Sequence, residues 1–215
     1  MDDADVNDSY RAIGLYFVRF SRLVMRMRLL MGLRLTIGRD PLELVELAFA
    51  GAMAQQIADS FFSMCRFDAK LDDAELGVAN VLRDAVNEQI THRNRFAHGD
   101  WWIGYDPAGG SAPELVRVTP KVRRGNFADL TTHPPDKLDQ RSLQVEELVD
   151  DVTQFGMLAL GIPMGRAATE LNREYRVRDV YTFRPGKSGR HKQNATFTRD
   201  GPRAEEMERL GYRSP

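Results

Sequence analysis

The stretch from Asp72 to Gly99 reads DDAELGVANVLRDAVNEQITHRNRFAHG. Leu76, Ala79, Val81, Leu82, Val86 and Ile90 recur at the three- and four-residue spacing of one helix face, which predicts an amphipathic helix running to His98. Asp72 with Glu75 three residues on is the pattern of a capping box at its start. Gly99 is its natural stop, because only glycine takes positive φ without cost just past a last turn. The end of this helix is unusually polar, with His92, Arg93, Asn94, Arg95 and His98 inside seven residues.

Upstream, two more helices are expected. The first starts near Asp8 or Ser9 and runs towards Leu33, with Tyr10, Ile13, Phe17, Phe20, Val24 and Leu30 at helical spacing. Arg19, Arg22 and Arg26 fall at i, i+3 and i+7 and form one basic stripe opposite part of the apolar surface, equally readable as an ordinary solvated face. The second has Asp40 as cap, Pro41 at the first helical position and Glu43 closing a capping box, and is expected to reach about Phe67. Ala48, Gly51 and Ala52 place small residues in its middle; Met53, Met64 and Cys65 read as core filling.

Downstream the period changes. Trp101 to Tyr105 and Glu114 to Val122 read as the two strands of a hairpin around the turn at Asp106 to Pro113. Asn126 to Asp139, with Pro134 and Pro135, reads as loop, and Ser142 as the cap of a fourth helix carrying Val145, Leu148, Val149, Val152, Phe155 and Leu158 as far as Gly161. Tyr175, Val177, Tyr181 and Phe183 suggest a strand. Arg184 to Gln193 has no apolar residue and is expected to be mobile, and Arg203 to Leu210 suggests a short terminal helix.

Composition limits the function classes. The chain has 215 residues, 30 Lys+Arg, 31 Asp+Glu, 42% hydrophobic residues and one cysteine. One cysteine excludes an intrachain disulfide and a cysteine-based zinc cluster. The longest apolar stretch, Ile13 to Ile37, is interrupted by five arginines, so no membrane span is expected, and the acidic first residues do not resemble a signal peptide. The expectation is a soluble cytoplasmic protein. Charge is uneven: residues 166–215 hold 12 Lys+Arg and 7 Asp+Glu, the rest 18 and 24. The division expected is a helical domain at 1–165, hairpin at about 101–122, and a basic, partly flexible extension at 166–215. That extension reads either as a polyanion-seeking tail or as a solvated appendage.

Arg93-Asn94-Arg95-Phe96-Ala97-His98, an Arg followed by a polar residue and, after four intervening residues, a His, resembles the signature of the HEPN superfamily of four-helix-bundle proteins. Its position at the end of a long third helix fits that resemblance. The fold class implied is all-α, a HEPN-like four-helix bundle with a small β-hairpin between helices 3 and 4. The function implied is a metal-independent endoribonuclease acting on single-stranded RNA, a toxin or phage-defence effector, active as a homodimer whose two motifs meet. It needs no cofactor and no metal, and a nucleotidyltransferase-like antitoxin partner is possible within such a system.

The residues are chemically suited to that reaction. Cleavage without metal needs a base for the ribose 2′-hydroxyl, an acid for the leaving 5′-oxygen and a cation against the phosphorane. His98 supplies a proton carrier near neutral pH, Arg93 a permanent two-pronged cation, and Asn94 an amide that orients either one. His92 and Arg95 are next in line as RNA contacts, with Arg19, Arg22 and Arg26. Five residues of helix rotate the side chain by about 140° net, so Arg93 and His98 do not share a face. Two copies across a two-fold axis bring the groups together.

The rival reading is a non-catalytic HEPN-like dimer that binds nucleotide, RNA or a partner protein, with Arg93, Asn94 and His98 satisfying the helix end. Other signals are weaker. Gly186-Lys187-Ser188 lacks the glycine a phosphate-binding loop requires at position 181, which is Tyr; His133 and His191 have no second ligand at metal spacing. Trp101 and Trp102 are suited to stacking bases or to packing on the bundle.

Overall fold

Nothing between Asp3 and Asp8 is a glycine or proline, and the first helix, α1, extends back to Asp3 and forward to Leu35. The computed structural model describes residues 3–35, 48–97, 100–103, 115–119, 129–132, 135–162, 176–186, 195–202 and 205. Among them the chain is mostly helical, the all-α class expected, with two small antiparallel sheets. Ser9, expected as a cap, is buried inside α1. The buried row is Ala12, Tyr16, Phe20, Leu23, Met27, Leu30 and Met31. Tyr10, expected in the core, is 62% exposed. Apolar residues populate two neighbouring rows of this helix, and packing selects the one centred on Tyr16 and Met27.

The second helix is not continuous. Residues 48–49 are helical, Ala50 and Gly51 form a turn, with Gly51 at φ +76° where a side chain is disfavoured, and Ala52 donates its N–H to the Phe49 carbonyl at 3.1 Å. α2 then runs Ala54–Ala69, its first turn closed by the Gln56 side-chain oxygen accepting from Met53 N–H at 2.9 Å. The small residues expected in the middle of this helix are thus partly a turn. The expected start at Asp40 lies outside the described residues. α2 ends on Lys70 in the left-handed region (φ 45°, ψ 51°), the one non-glycine residue with positive φ among those described.

α3, Asp73–Ala97, starts as its sequence indicates. Asp72 Oδ1 accepts from Glu75 N–H and Glu75 Oε2 from Asp72 N–H, both at 3.0 Å. Beyond it the two expected strands are present, each shorter than expected, and a third joins them; the expected turn at 106–113 lies outside the described residues. β1 (Asp100–Ile103) pairs antiparallel with β2 (Leu115–Thr119), with Trp102 opposite Val116, and β2 pairs with β3 (Asp129–Thr132), with Val118 opposite Leu130. β3 falls in the stretch read as loop. So does the first turn of α4, Pro135–Leu160: Pro135 takes the first helical position, where its missing N–H costs nothing. Ser142 is consequently not a cap but a fully buried residue within α4.

The chain divides into two compact units. One comprises Met1–Arg22 and Glu88–Glu146; the other, Leu23–Asn87 and Glu147–Pro215. The first has its core at Ala12, Phe96 and Leu138, with Ile13 and Phe17 packed against them. In the second, Phe62 lies against Phe61 and Phe155, ring centroids 5.1 and 6.3 Å apart. Gly156 of α4 lets that helix approach closely: a Cβ there would meet Phe61 Cζ at 2.7 Å and Leu30 Cδ1 at 2.8 Å.

The second unit also contains part of the C-terminal region. Val177–Val180 is a single helical turn, α5, rather than the expected strand; β4 (Thr182–Arg184) follows and pairs with β5 (Thr196–Thr198). Val177, Val180 and Tyr181 are buried, Tyr181 Oη donates to Gln154 Oε1 at 3.1 Å, and Arg199 meets Asp151 at 2.7 Å. Buried Glu75 accepts from Arg176 Nη2 at 3.2 Å and from the Arg178 amide at 3.3 Å. These parts are docked, not solvated. The boundary expected at 165, the run 187–194 and nearly all of the terminal helix at 203–210 lie outside the described residues.

Candidate functional site

The polar end of α3 belongs to the first unit, where it meets the first half of α1 and the start of α4. Phe96 is buried and anchors the last turn. That fixes its neighbours. Arg93 is half-buried, with its guanidinium carbon 5.9 Å from the Phe20 ring centre and 6.0 Å from that of Phe17. Its Nη1 donates to Asn94 Oδ1 at 3.2 Å. Arg95 is exposed. His98, expected to be the proton carrier, lies outside the described residues.

His92 is tightly framed. Its ring stacks on Phe96 (5.0 Å, 29°) and meets Tyr16 edge-on (5.4 Å, 74°), and its Nδ1 is 3.2 Å from Tyr16 Oη. Tyr16 Oη also lies 3.4 Å from the Gln89 carbonyl, an acceptor for its proton. Burial pushes the Tyr16 phenol up to about 12, against the opposing pull of the Arg141 and Arg93 guanidiniums. Both cations thus bear on one hydroxyl.

Beside His92 opens a cavity of about 250 Å³, lined by His92, Lys137, Leu138, Gln140, Arg141 and Gln144. Leu138 is part of the core beneath. Arg141 Nη1 lies 3.3 Å from Glu88 Oε1, whose side chain is 68% exposed. Among the described residues no carboxylate lines the cavity, and five of its six lining residues carry a polar side chain, two of them cationic.

The basic stripe on α1 is divided. Arg19, 16% exposed, is 2.6 Å from Glu146 and donates to Ser142 Oγ at 3.0 Å. Arg22 lies 3.7 Å from the same carboxylate. Arg26 is exposed and belongs to the second unit.

Sequence reasoning passes over Tyr16, Lys137, Gln140, Arg141 and Gln144. Lys137/Arg141 and Gln140/Gln144 are i, i+4 pairs, a helical signal hidden by reading Pro134 and Pro135 as loop rather than as a helix start. Among the described residues no group of His, Cys, Asp and Glu is placed to hold a metal ion, and no helix is long and apolar enough to cross a membrane. Comparison with protein-family models, with characterised sequences and with solved structures gives no match.

Proposed function

We propose that this chain is a metal-independent endoribonuclease of the HEPN type that cuts single-stranded RNA as a homodimer, acting as a toxin or phage-defence effector. What supports this reading is the state of Arg93: a guanidinium held over two aromatic faces and braced by Asn94, five residues before His98. A cation fixed in advance stabilises developing phosphorane charge without reorganising during the reaction. His98 takes the 2′-hydroxyl proton, the 2′-oxygen attacks phosphorus, and the bond to the 5′-oxygen breaks as that oxygen is protonated by the partner copy's histidine. The products are a 2′,3′-cyclic phosphate and a 5′-hydroxyl. A nucleotidyltransferase-like antitoxin is the partner expected to silence it.

The test is cleavage of single-stranded RNA by purified protein in EDTA. Cyclic phosphate ends, lost in both Arg93→Ala and His98→Ala, are the result expected. Cleavage that persists in the double variant places the site elsewhere. A non-catalytic binding dimer is the second reading, favoured by the fact that Arg93 already has partners in the chain itself. It gives RNA binding with no cleavage.

A further inference from the structure

We infer that the cavity beside His92 is a nucleobase pocket for one nucleotide of the bound RNA strand, and that it gives the protein base preference. The inference rests on the proposal that RNA is the ligand and goes beyond it by assigning the recognition of sequence to α4.

Three observations carry it. First, the cavity is small: about 250 Å³ falls just below the range of roughly 300–1,000 Å³ typical of drug-sized ligands, which limits its occupant to a compact group such as one base. Second, its walls divide by chemistry. Leu138 supplies an apolar floor, while Gln140 and Gln144, one helical turn apart, offer amides that both donate and accept. Such amides read the edges of an unstacked base, the mode by which single-stranded RNA is distinguished. Third, Lys137 and Arg141 stand one turn apart on the same helix, with no carboxylate among the described residues of the lining. A phosphate flanking the base meets two cations there, and a cationic ligand is disfavoured.

Arg141 is held by Glu88, a highly exposed side chain. That carboxylate competes with RNA for the guanidinium. Its removal therefore strengthens RNA binding, whereas a guanidinium with only a structural role gains nothing from the change. His92, which lines the cavity, directly precedes Arg93, the cation proposed for catalysis.

The experiment measures fluorescence anisotropy of short labelled homopolymers of A, C, G and U with the full chain carrying His98→Ala, in EDTA, so that no strand is cut. The expected result is a spread of about tenfold between best and worst base, abolished in Gln140→Leu/Gln144→Leu. Lys137→Ala and Arg141→Ala weaken all four strands alike and each lowers the salt slope by about 0.7. Glu88→Gln tightens all four. Equal affinity for the four strands, or a preference that survives loss of both glutamines in a variant that melts like the parent, overturns the pocket. So does competition by free mononucleotide at the concentration of the strand, which reassigns the cavity to a free ligand. Cleavage by the wild type without base preference sinks the pocket and leaves the nuclease standing. Preference without any cleavage sinks the nuclease and leaves the pocket.

Discussion

Tyr16 and His92 face each other across α1 and α3, hydroxyl to Nδ1 at 3.2 Å, and the same hydroxyl donates to the Gln89 carbonyl. A tyrosine in the buried row of one helix thereby fixes the ring of a histidine that lines the cavity. Tyr16→Phe keeps the ring packing and removes both hydrogen bonds. We expect a loss of about 1 kcal/mol, or a fall of roughly 2–4 °C in Tm. Thermal melting checks the loss, and RNA anisotropy checks whether the binding proposed for the cavity weakens with it.

Ionisation of Tyr16 gives a pH test with a definite sign. Burial raises its folded pKa to about 12 from the usual 10, so the folded chain holds the proton more tightly than the unfolded one. The stabilisation is complete below about pH 10 and is lost as pH rises towards 12. Burial raises Tyr181 as well, in the same direction. In an ultraviolet titration Tyr16 and Tyr181 are expected to ionise only as the protein unfolds. Early ionisation of every tyrosine would contradict this.

Arg19 is expected to act on stability rather than on RNA. Its two partners, Glu146 and Ser142, use its donors, and it is only 16% exposed. Arg19→Ala should cost about 1 kcal/mol in urea unfolding and leave RNA affinity within twofold once the fraction folded is accounted for. A tenfold loss of affinity at unchanged stability would return Arg19 to the proposed RNA-binding residues.

Glu75 joins the start of α3 to the C-terminal segment, accepting from Asp72, Arg176 and Arg178 while itself 1% exposed. Glu75→Ala removes the capping reciprocity and leaves those donors unpaired, at about 2 kcal/mol. Limited proteolysis should show residues 176–186 cut earlier in this variant than in Glu75→Gln, which retains an acceptor.

Two helical glycines are expected to reject alanine despite its better helix propensity. The added methyl meets Phe61 and Leu30 at Gly156, and the Phe183 ring at 2.6 Å at Gly77. Each substitution should lower stability by about 1–3 kcal/mol, measured by denaturant midpoint.

Elements with a local signal are legible in the amino-acid order alone. The reciprocal Asp72–Glu75 cap, the third helix to Ala97 and the strand at Trp101 all follow from patterns within a few residues. What is not legible depends on distant contacts. Two adjacent apolar rows on α1 compete for burial, and contacts from parts of the chain distant in sequence decide between them. Pro134-Pro135 marks a helix start as readily as a loop, and that ambiguity conceals Lys137 and Arg141. Arg93 and Asn94 stand out through the motif, and their mutual hydrogen bond is local. Tyr16 does not, since a core tyrosine carries no mark of the imidazole it meets 76 residues later.

Lys70 closes α2 with a backbone that favours glycine, and it stands two residues before the cap of α3. The corner between these helices therefore holds strain of about 1 kcal/mol that the chain has left unrelieved. For anyone seeking a hardier version of the protein for crystallisation or structural work, this exposed corner, remote in sequence from Arg93 and the α4 cavity, is the first place to introduce a glycine.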